Sequence, residues 1–229
     1  MTVEEAQPLF RDRADAGKRL AERLKQYHHS GVVVFAIPRG GVPVAIEVAG
    51  KLGAHLDIVI PRKIPIPFNP EAGYGAVSEE GIIVLNEPLV KQLRLSKQQI
   101  ERQAEEVRAE IERRGAIYRS KLVVPSVGGK TAILIDDGLA SGFTMIAAIK
   151  SMQQRKAARI VVAVPVASRT AYDLVKPLAD DMACLVVART YPFAVASFYR
   201  YWHDLTDEEV IEHLEGWTRR YSQVSKQKP

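Results

Sequence analysis

The stretch from Thr131 to Thr144 constrains the fold more than any other part of the sequence. It begins with a continuous apolar run, Ala132 to Ile135, which is followed by Asp136 and Asp137 and then by a loop rich in small residues. A short apolar run bounded by turn residues is typical of a parallel strand that is covered on both faces. Met145 to Met152 has the pattern of a helix that follows the loop. We therefore expect an α/β fold with a parallel sheet.

The end of this strand carries the groups of a ligand site. In open α/β sheets, ligands bind at the carboxyl ends of the strands, and this is the position of Asp136 and Asp137. Glycines in the loop Gly138 to Thr144 let backbone N–H groups approach a ligand, and Ser141 and Thr144 add hydroxyls at a helix start. A phosphate on the loop and hydroxyls on the acids favour a sugar phosphate. Strand, acid and glycine turn also occur in α/β proteins without a sugar site, so that alternative stays open.

The stretch resembles the binding motif of type I phosphoribosyltransferases, of the kind found in uncharacterised bacterial proteins. The resemblance implies that the acids bind the ribose 2- and 3-hydroxyls and that the loop binds the 5-phosphate. The candidate residues for ribose 5-phosphate are Asp136, Asp137, Gly138, Leu139, Ala140, Ser141, Gly142, Phe143 and Thr144. Two positions depart from the family pattern. Ser141 stands where the family usually has threonine, and the bulky Phe143, at a position that is often small, is expected to narrow the pocket.

A second strand, turn and helix unit lies earlier in the chain. Val32 to Ile37 predicts a strand, Pro38 to Gly41 a turn, and Val42 to Leu52 a helix. Arg39 beside two glycines offers a fixed cation and accessible N–H groups, which suit a diphosphate. In the family that the chain resembles, the loop after the first core strand binds the diphosphate. Arg39, Gly40 and Gly41 are therefore the candidate diphosphate residues.

A proline-bearing segment follows the third predicted strand, Leu56 to Ile60. Pro61 to Pro70 contains four prolines and is predicted to be a long loop, which is uncommon in compact domains without a function. The resemblance implies a mobile loop that closes over the diphosphate, placed at residues 62–75, with Arg62 and Lys63 as its cations. A rigid surface loop with solvated charges is the alternative.

The remaining chain predicts further strands and helices in alternation, which argues for one parallel sheet. The predicted elements are helices at 10–27, 97–118 and 168–178, a hairpin at 74–86, strands at 160–166 and 182–187, and a last helix capped at Thr206. The predicted fold class is α/β, an open parallel sheet flanked by helices, with a small hairpin and helix insertion and a C-terminal aromatic-rich hood.

The length of 229 residues suits one core, so we expect a single domain over residues 1–229. Its core is predicted at about 30–190, with a helical insertion at about 96–119 and a C-terminal extension at about 190–229. That extension carries Tyr191, Phe193, Phe198, Tyr199, Tyr201 and Trp202. These aromatic side chains either stack on a base or cover the sheet edge, and the sequence leaves both open.

Composition excludes several kinds of protein. No run approaches the ~18 apolar residues of a membrane span, and residues 1–13 carry charges where a signal peptide needs an apolar core, so a cytoplasmic protein without a membrane partner is expected. Cys184 is the only cysteine, which excludes a disulfide framework. The five histidines are not spaced as metal ligands. The net charge of +5 and basic clusters such as Lys226 to Lys228 fit polyanion binding without singling it out.

The resemblance implies an enzyme of nucleotide metabolism that uses 5-phosphoribosyl 1-diphosphate and Mg²⁺, transfers phosphoribosyl to a nitrogenous base or related acceptor, and releases diphosphate. Mg²⁺ is expected on substrate oxygens and water rather than in a protein cage, and a homodimer stays open. The candidate catalytic residues are Asp136, Asp137, Arg39, Arg62 and Lys63. The alternative is a non-catalytic regulator that senses phosphoribosyl diphosphate or a nucleotide and binds RNA or DNA, although nucleic acid is not the expected partner.

Overall fold

The computed structural model describes residues 8–67, 69–122 and 126–225. Within these residues the strands, numbered in chain order, are β1 (Val33–Ala36), β2 (His55–Ile58), β3 (Arg62–Ile66), β4 (Asn69–Val77), β5 (Ile83–Leu85), β6 (Thr131–Ile135), β7 (Arg159–Ser168) and β8 (Asp181–Ala188). Five of them form a parallel sheet in the order β2-β1-β6-β7-β8. The other three form an antiparallel sheet in the order β3-β4-β5.

The helices of the described residues are α1 (Arg13–Arg23), α2 (Gly41–Leu52), α3 (Glu87–Gln92), α4 (Lys97–Arg119), α5 (Phe143–Gln154), α6 (Arg169–Val175) and α7 (Asp207–Ser225). Short 3₁₀ turns lie at Lys25–Tyr27, Lys176–Leu178 and Val195–Phe198. The open parallel sheet flanked by helices confirms the predicted fold class. None of the helices in this part of the chain is long and apolar enough to cross a membrane.

Strand β6 shows why the apolar runs were informative. Successive side chains of a strand point to opposite faces. Ile133 and Ile135 enter the apolar cluster that also contains side chains of α1, α2, α4 and α7, while Ala132 and Leu134 enter the cluster on the face of α5 and α6. Both faces of the strand are therefore buried, as a continuous apolar sequence requires.

The register of the two central strands positions the site. β1 and β6 are parallel neighbours, and Ala36 pairs with Ile135 at their carboxyl ends. The N–H of Ile37 continues the ladder by donating to the carbonyl of Ile135 at 2.8 Å. The turn after β1 and the acids after β6 therefore emerge side by side at one edge of the sheet.

The small antiparallel sheet corrects one prediction. The irregular loop predicted over Pro61 to Pro70 is wrong, because Arg62–Ile66 is strand β3 and pairs with the long strand β4. Pro65, which has no N–H to donate, sits where the register shifts between the two strands. The hairpin predicted at 74–86 is confirmed as the β4–β5 pairing. The proposed mobility of residues 62–75 stays a prediction, and Phe68 lies outside the described residues.

The helix predictions hold with shifted ends. The helix predicted at 10–27 is α1 plus a 3₁₀ turn, and it begins later because the Asp12 side chain accepts from the N–H of Asp15 at 2.8 Å and caps it. The helix predicted at 97–118 is α4, and the side chains of Ser96 and Gln99 form a capping box at its start. Sequence reasoning missed the short α3, which is capped by Asn86. The basic cluster at 226–228 lies outside the described residues.

Candidate functional site

A pocket of about 440 Å³ opens at the carboxyl end of β6. One wall is the loop after β6 with the first turn of α5, and the opposite wall is the β3–β4 hairpin. The described residues that line it are Lys63, Ala72, Gly73, Gly75, Asp136, Gly138, Leu139, Ala140, Ser141, Gly142, Thr144 and Met145. The pocket therefore lies where the sequence predicted a ligand, and it contains most of the predicted 5-phosphate loop.

The two acids after β6 have different surroundings. Asp136 lines the pocket, and its Oδ1 accepts the N–H of Asp137 at 2.8 Å. Burial and the neighbouring charge of Asp137 raise the pKa of Asp136 well above its ordinary value. A carboxyl with a raised pKa retains its proton to a higher pH than an ordinary aspartate does.

Asp137 is engaged from the opposite side. Its Oδ2 accepts from Nε of Arg13, the first residue of α1, at 2.8 Å. Its backbone carbonyl accepts the hydroxyl of Tyr199 at 2.6 Å. Burial raises the pKa of Asp137, while the Arg13 guanidinium opposes that rise. The predicted pair of ribose acceptors is therefore divided between the pocket and an internal ion pair.

The turn Arg39 to Gly41 packs directly on these acids. A Cβ added at Gly40 would lie 1.9 Å from Oδ2 of Asp137, and one at Gly41 would lie 2.6 Å from the carbonyl oxygen of Ile135. Both positions therefore exclude every residue except glycine. The peptide bond between Pro38 and Arg39 is cis. The predicted diphosphate turn and the predicted ribose acids thus meet in van der Waals contact.

The loop after the acids is held by the neighbouring strand β7. The N–H of Leu139 donates to the carbonyl of Val166 and the Leu139 carbonyl accepts the N–H of Ser168, each at 2.9 Å. Gly142 then caps α5 with a positive φ of 84°. Phe143 does not narrow the pocket through its ring, which packs against the apolar cluster on the α5 face. Ala140 and Ser141 between these anchors are exposed.

Alternation along β3 separates the two predicted cations. Lys63 lines the pocket. Arg62 points the other way, toward α4, and its NH1 lies 3.7 Å from Oε1 of Glu110. Burial and the nearby charge of Arg114 lower the pKa of Arg62. Since neighbouring strand residues face opposite sides, adjacency in the sequence did not bring these two charges to one place.

A cluster of opposite charges lies on that other side, between α4 and the start of α7. Asp207 accepts the hydroxyl of Tyr118 at 2.5 Å and lies 3.8 Å from NH1 of Arg39. NH2 of Arg113 donates to Asp207 at 3.0 Å. The predicted diphosphate cation Arg39 is therefore held beside a carboxylate, at a distance longer than a hydrogen bond.

Sequence reasoning missed Arg13, Tyr199 and Trp202 as neighbours of the acids. The Arg13 guanidinium carbon lies 3.8 Å from the centre of the Trp202 ring, and that ring packs on Tyr199 with their centroids 5.2 Å apart. Two of the C-terminal aromatic residues are thus a cover over the sheet edge, whereas Tyr191 is 98% exposed. The one available signal in the sequence was that Arg13 falls on the apolar face of the first helix, but this position does not indicate which carboxylate it pairs with.

The described residues contain no group of three or more histidine, cysteine, aspartate or glutamate side chains placed to hold a metal ion. Cys184 is a free, half-buried thiol on the edge strand β8. The chemistry at this edge of the sheet is therefore carried by one carboxyl in the pocket, one lysine, a glycine-rich loop and a helix start.

These features define the class of α/β proteins that bind a ligand at the carboxyl edge of a parallel sheet, between a strand end and a helix start. The chain belongs to the phosphoribosyl transferase family, since the family model described as "Phosphoribosyl transferase domain" matches residues 10–199. The match begins just before α1, ends at Tyr199 within the C-terminal aromatic segment, and includes the pocket and both turns.

Two relatives extend this result. The chain is 36% identical over 216 residues to "Putative phosphoribosyl transferase MT0597" of Mycobacterium tuberculosis, a match that covers 94% of this chain and 48% of that protein. The chain thus spans about half the length of this relative. The crystal structure of TT1426 from Thermus thermophilus is similar with a TM-score of 0.75 and 39% identity, and the match covers 91% of this chain and 98% of that one.

Proposed function

We propose that this chain uses 5-phosphoribosyl 1-diphosphate with Mg²⁺ and transfers the phosphoribosyl group to a nitrogenous base or related acceptor, with release of diphosphate. The observation that carries the proposal is the cavity shared by Asp136 and the loop Gly138–Gly142. A carboxyl at one side and backbone N–H groups at the other complement the two ends of a ribose 5-phosphate. Family membership supports the same reaction class.

The 5-phosphate end of the ligand is assigned to the start of α5. Gly142 is the N-cap, and the first turn of α5 contains no acidic residue that would repel an anion. Ser141 is exposed beside it and Thr144 is half-buried in the pocket lining. The free N–H groups and the positive end of the helix dipole stabilise a bound phosphate without requiring a lysine in the loop.

The reacting end is assigned to the edge between β1 and β6. Asp136 accepts a ribose hydroxyl, and the N–H of Gly40 faces the diphosphate, whereas the N–H of Gly41 already donates to the carbonyl of Ile37 at 3.0 Å. The bond from the anomeric carbon to the diphosphate oxygen breaks with its electron pair on that oxygen, a bond to the acceptor nitrogen forms, and the proton of that nitrogen passes to the released diphosphate or to solvent. Negative charge accumulates on the leaving group, so a cation that lines the pocket, such as Lys63, lowers the barrier by electrostatic stabilisation.

Mg²⁺ fits this assignment as part of the substrate. A hard cation that dehydrates reluctantly retains several waters and is bound largely by phosphate oxygens. The described residues present no cluster of acids that would compete with that arrangement. When bound, the ion supplies charge neutralisation on the diphosphate, and the residues of this chain orient the sugar.

The test combines calorimetry of 5-phosphoribosyl 1-diphosphate binding with diphosphate release against a panel of purines and pyrimidines. Thr144→Val and Ser141→Ala each remove one hydroxyl from the phosphate site. Each is expected to weaken binding by about 10- to 100-fold, the range for one hydrogen bond to a charged group. Thr170→Val is the matched control, because Thr170 is the second residue of α6 as Thr144 is of α5.

Unchanged affinity in both Thr144→Val and Ser141→Ala would show that the phosphate does not bind to this loop. Binding without diphosphate release for any acceptor would contradict transferase activity. It would favour a protein that senses the sugar diphosphate without turning it over. A loss of affinity in Thr170→Val equal to that in Thr144→Val would show a general effect on the fold instead of a local one.

A further inference from the structure

The ion pair between Arg13 and Asp137 joins the first helix to the acids of the site. Arg13 and Asp137 are 124 positions apart, and their side chains are only 8% and 13% exposed. A buried guanidinium is tolerated only where hydrogen bonds and an opposite charge compensate the loss of water. Specific contacts in the fold must therefore compensate the burial of the Arg13 guanidinium.

The guanidinium is oriented by further contacts in addition to the carboxylate. Its NH1 donates to the backbone carbonyl of His203 at 2.9 Å, and its Cζ lies 3.8 Å from the centre of the Trp202 ring. The hydroxyl of Tyr199, which packs on Trp202, donates to the carbonyl of Asp137. The C-terminal segment thus holds both Arg13 and Asp137 and leaves the guanidinium a single orientation.

The same carboxylate oxygen also contacts the diphosphate turn. Oδ2 of Asp137, which accepts from Arg13, occupies the space that a side chain at residue 40 would require. If the carboxylate of Asp137 rotated toward the pocket, it would leave Arg13 without its counter-ion. Arg13 therefore holds Asp137 beneath Gly40 and leaves the pocket face of the pair to Asp136.

We infer that Arg13 is a positioning residue for the acid pair: it retains Asp137 as a carboxylate turned away from the pocket, so that Asp136 alone faces the ribose. The second half of this inference rests on the proposed function. The first half concerns the free protein and holds or fails without any substrate.

The charges around the pair support this assignment. Arg13 faces Asp137 from α1, Tyr199 faces it from the C-terminal segment, and Lys63 of β3 lines the same pocket as Asp136. With two carboxyls and one directly bonded guanidinium, the carboxyl without the guanidinium is the one that takes up a proton. Burial raises the pKa of both Asp136 and Asp137. Arg13 lowers the pKa of Asp137 through a direct hydrogen bond, which Asp136 does not receive.

The test is a pH titration of the aspartate side-chain carboxyl carbons by NMR in the free protein. In the wild type, Asp137 is expected to titrate at a lower pH than Asp136. Arg13→Gln should raise the titration midpoint of Asp137, and Arg13→Lys should restore it by restoring the charge. Arg19→Gln is the control, because Arg19 lies on the same helix and pairs with Asp15 at the surface.

Affinity for 5-phosphoribosyl 1-diphosphate provides the second readout. Arg13→Gln should weaken binding by about tenfold or more, with recovery in Arg13→Lys and no change in Arg19→Gln. A wild type in which Asp137 titrates above Asp136 would overturn the inference, and this measurement does not depend on whether the variant folds. A wild type with the expected titration but no affinity for the sugar diphosphate would refute the proposed function and leave the effect of Arg13 on Asp137 intact.

Discussion

The buried carboxyl of Asp57 provides the sharpest stability prediction. Asp57 lies in the edge strand β2, is 1% exposed, and uses Oδ1 to accept the N–H of Ile58 at 2.7 Å. Its Oδ2 has no hydrogen-bond partner among the described residues. Burial raises the pKa of Asp57 to about 6, against the opposing effects of the Ile58 N–H, Arg119 and Arg155. Ionisation of this group therefore destabilises the folded protein.

The magnitude follows from the difference between the folded and the ordinary pKa. A rise from 3.8 to about 6 corresponds to about 3 kcal/mol of folding free energy. Below pH 3.8 the carboxyl is protonated in both states and the penalty is absent. As the pH increases, the unfolded chain ionises first, so the folded state loses stability until the pH passes about 6. About 2 kcal/mol of this loss falls between about pH 4.5 and 7.5.

Asp57→Asn removes the titration and retains the oxygen that accepts from Ile58. We expect the unfolding free energy of the wild type to fall by about 2 kcal/mol more than that of the variant between about pH 4.5 and 7.5, measured by urea denaturation. In the variant an amide NH₂ group replaces Oδ2, and this replacement changes the stability by the same amount at both pH values. The difference in stability between the two pH values therefore isolates the titration of Asp57. Asp173→Asn, at an exposed acid on α6, is the control. Parallel stability curves for wild type and Asp57→Asn would refute the reasoning.

Two further predictions concern the site loop and the single thiol. Gly142→Ala should destabilise the fold by about 1 to 2 kcal/mol, because residue 142 has a positive φ and the new methyl group would lie 3.1 Å from Val175. Gly216→Ala, inside α7, is the control and should stabilise the fold by about 0.5 to 1 kcal/mol. Equal urea midpoints for the two variants would contradict this prediction. Burial raises the pKa of Cys184 to about 11, so iodoacetamide at about pH 8 should modify the folded protein far more slowly than the urea-unfolded chain, and equal rates would refute the burial of the thiol.

The strands of the parallel sheet were predictable because burial on both faces leaves a local signature. Residues 132–135 and 160–166 are uninterrupted apolar runs, and the structure places both in the sheet. The position of the acids and the glycine loop was predictable for a related reason. The change from apolar to polar residues after Ile135 marks the carboxyl end of a buried strand, where the chain leaves the core. Local sequence carried this information without knowledge of the neighbours.

The segment after β2 was not predictable in the same way. Prolines at 61, 65, 67 and 70 argued for an irregular loop, but β3 forms because β4 supplies its hydrogen bonds and the register shifts at Pro65. Strand pairing is a contact between two segments, so neither segment shows it alone. The side that each cation faces was hidden for the same reason, since Lys63 and Arg62 diverge only once β3 exists.

The sequence by itself determined the class of fold, the order of its central elements, and the loop on which a phosphate is expected. These depend on periodicity, burial and turn chemistry, which act over a few residues. Only the tertiary structure decided that Asp136 faces the pocket while Asp137 pairs with Arg13, because that choice is made by a guanidinium 124 positions away and by the aromatic ring that orients it. Burial strengthens such a contact because the surrounding dielectric is low. No pattern within a short stretch of sequence can indicate it, because the two residues are far apart in the chain.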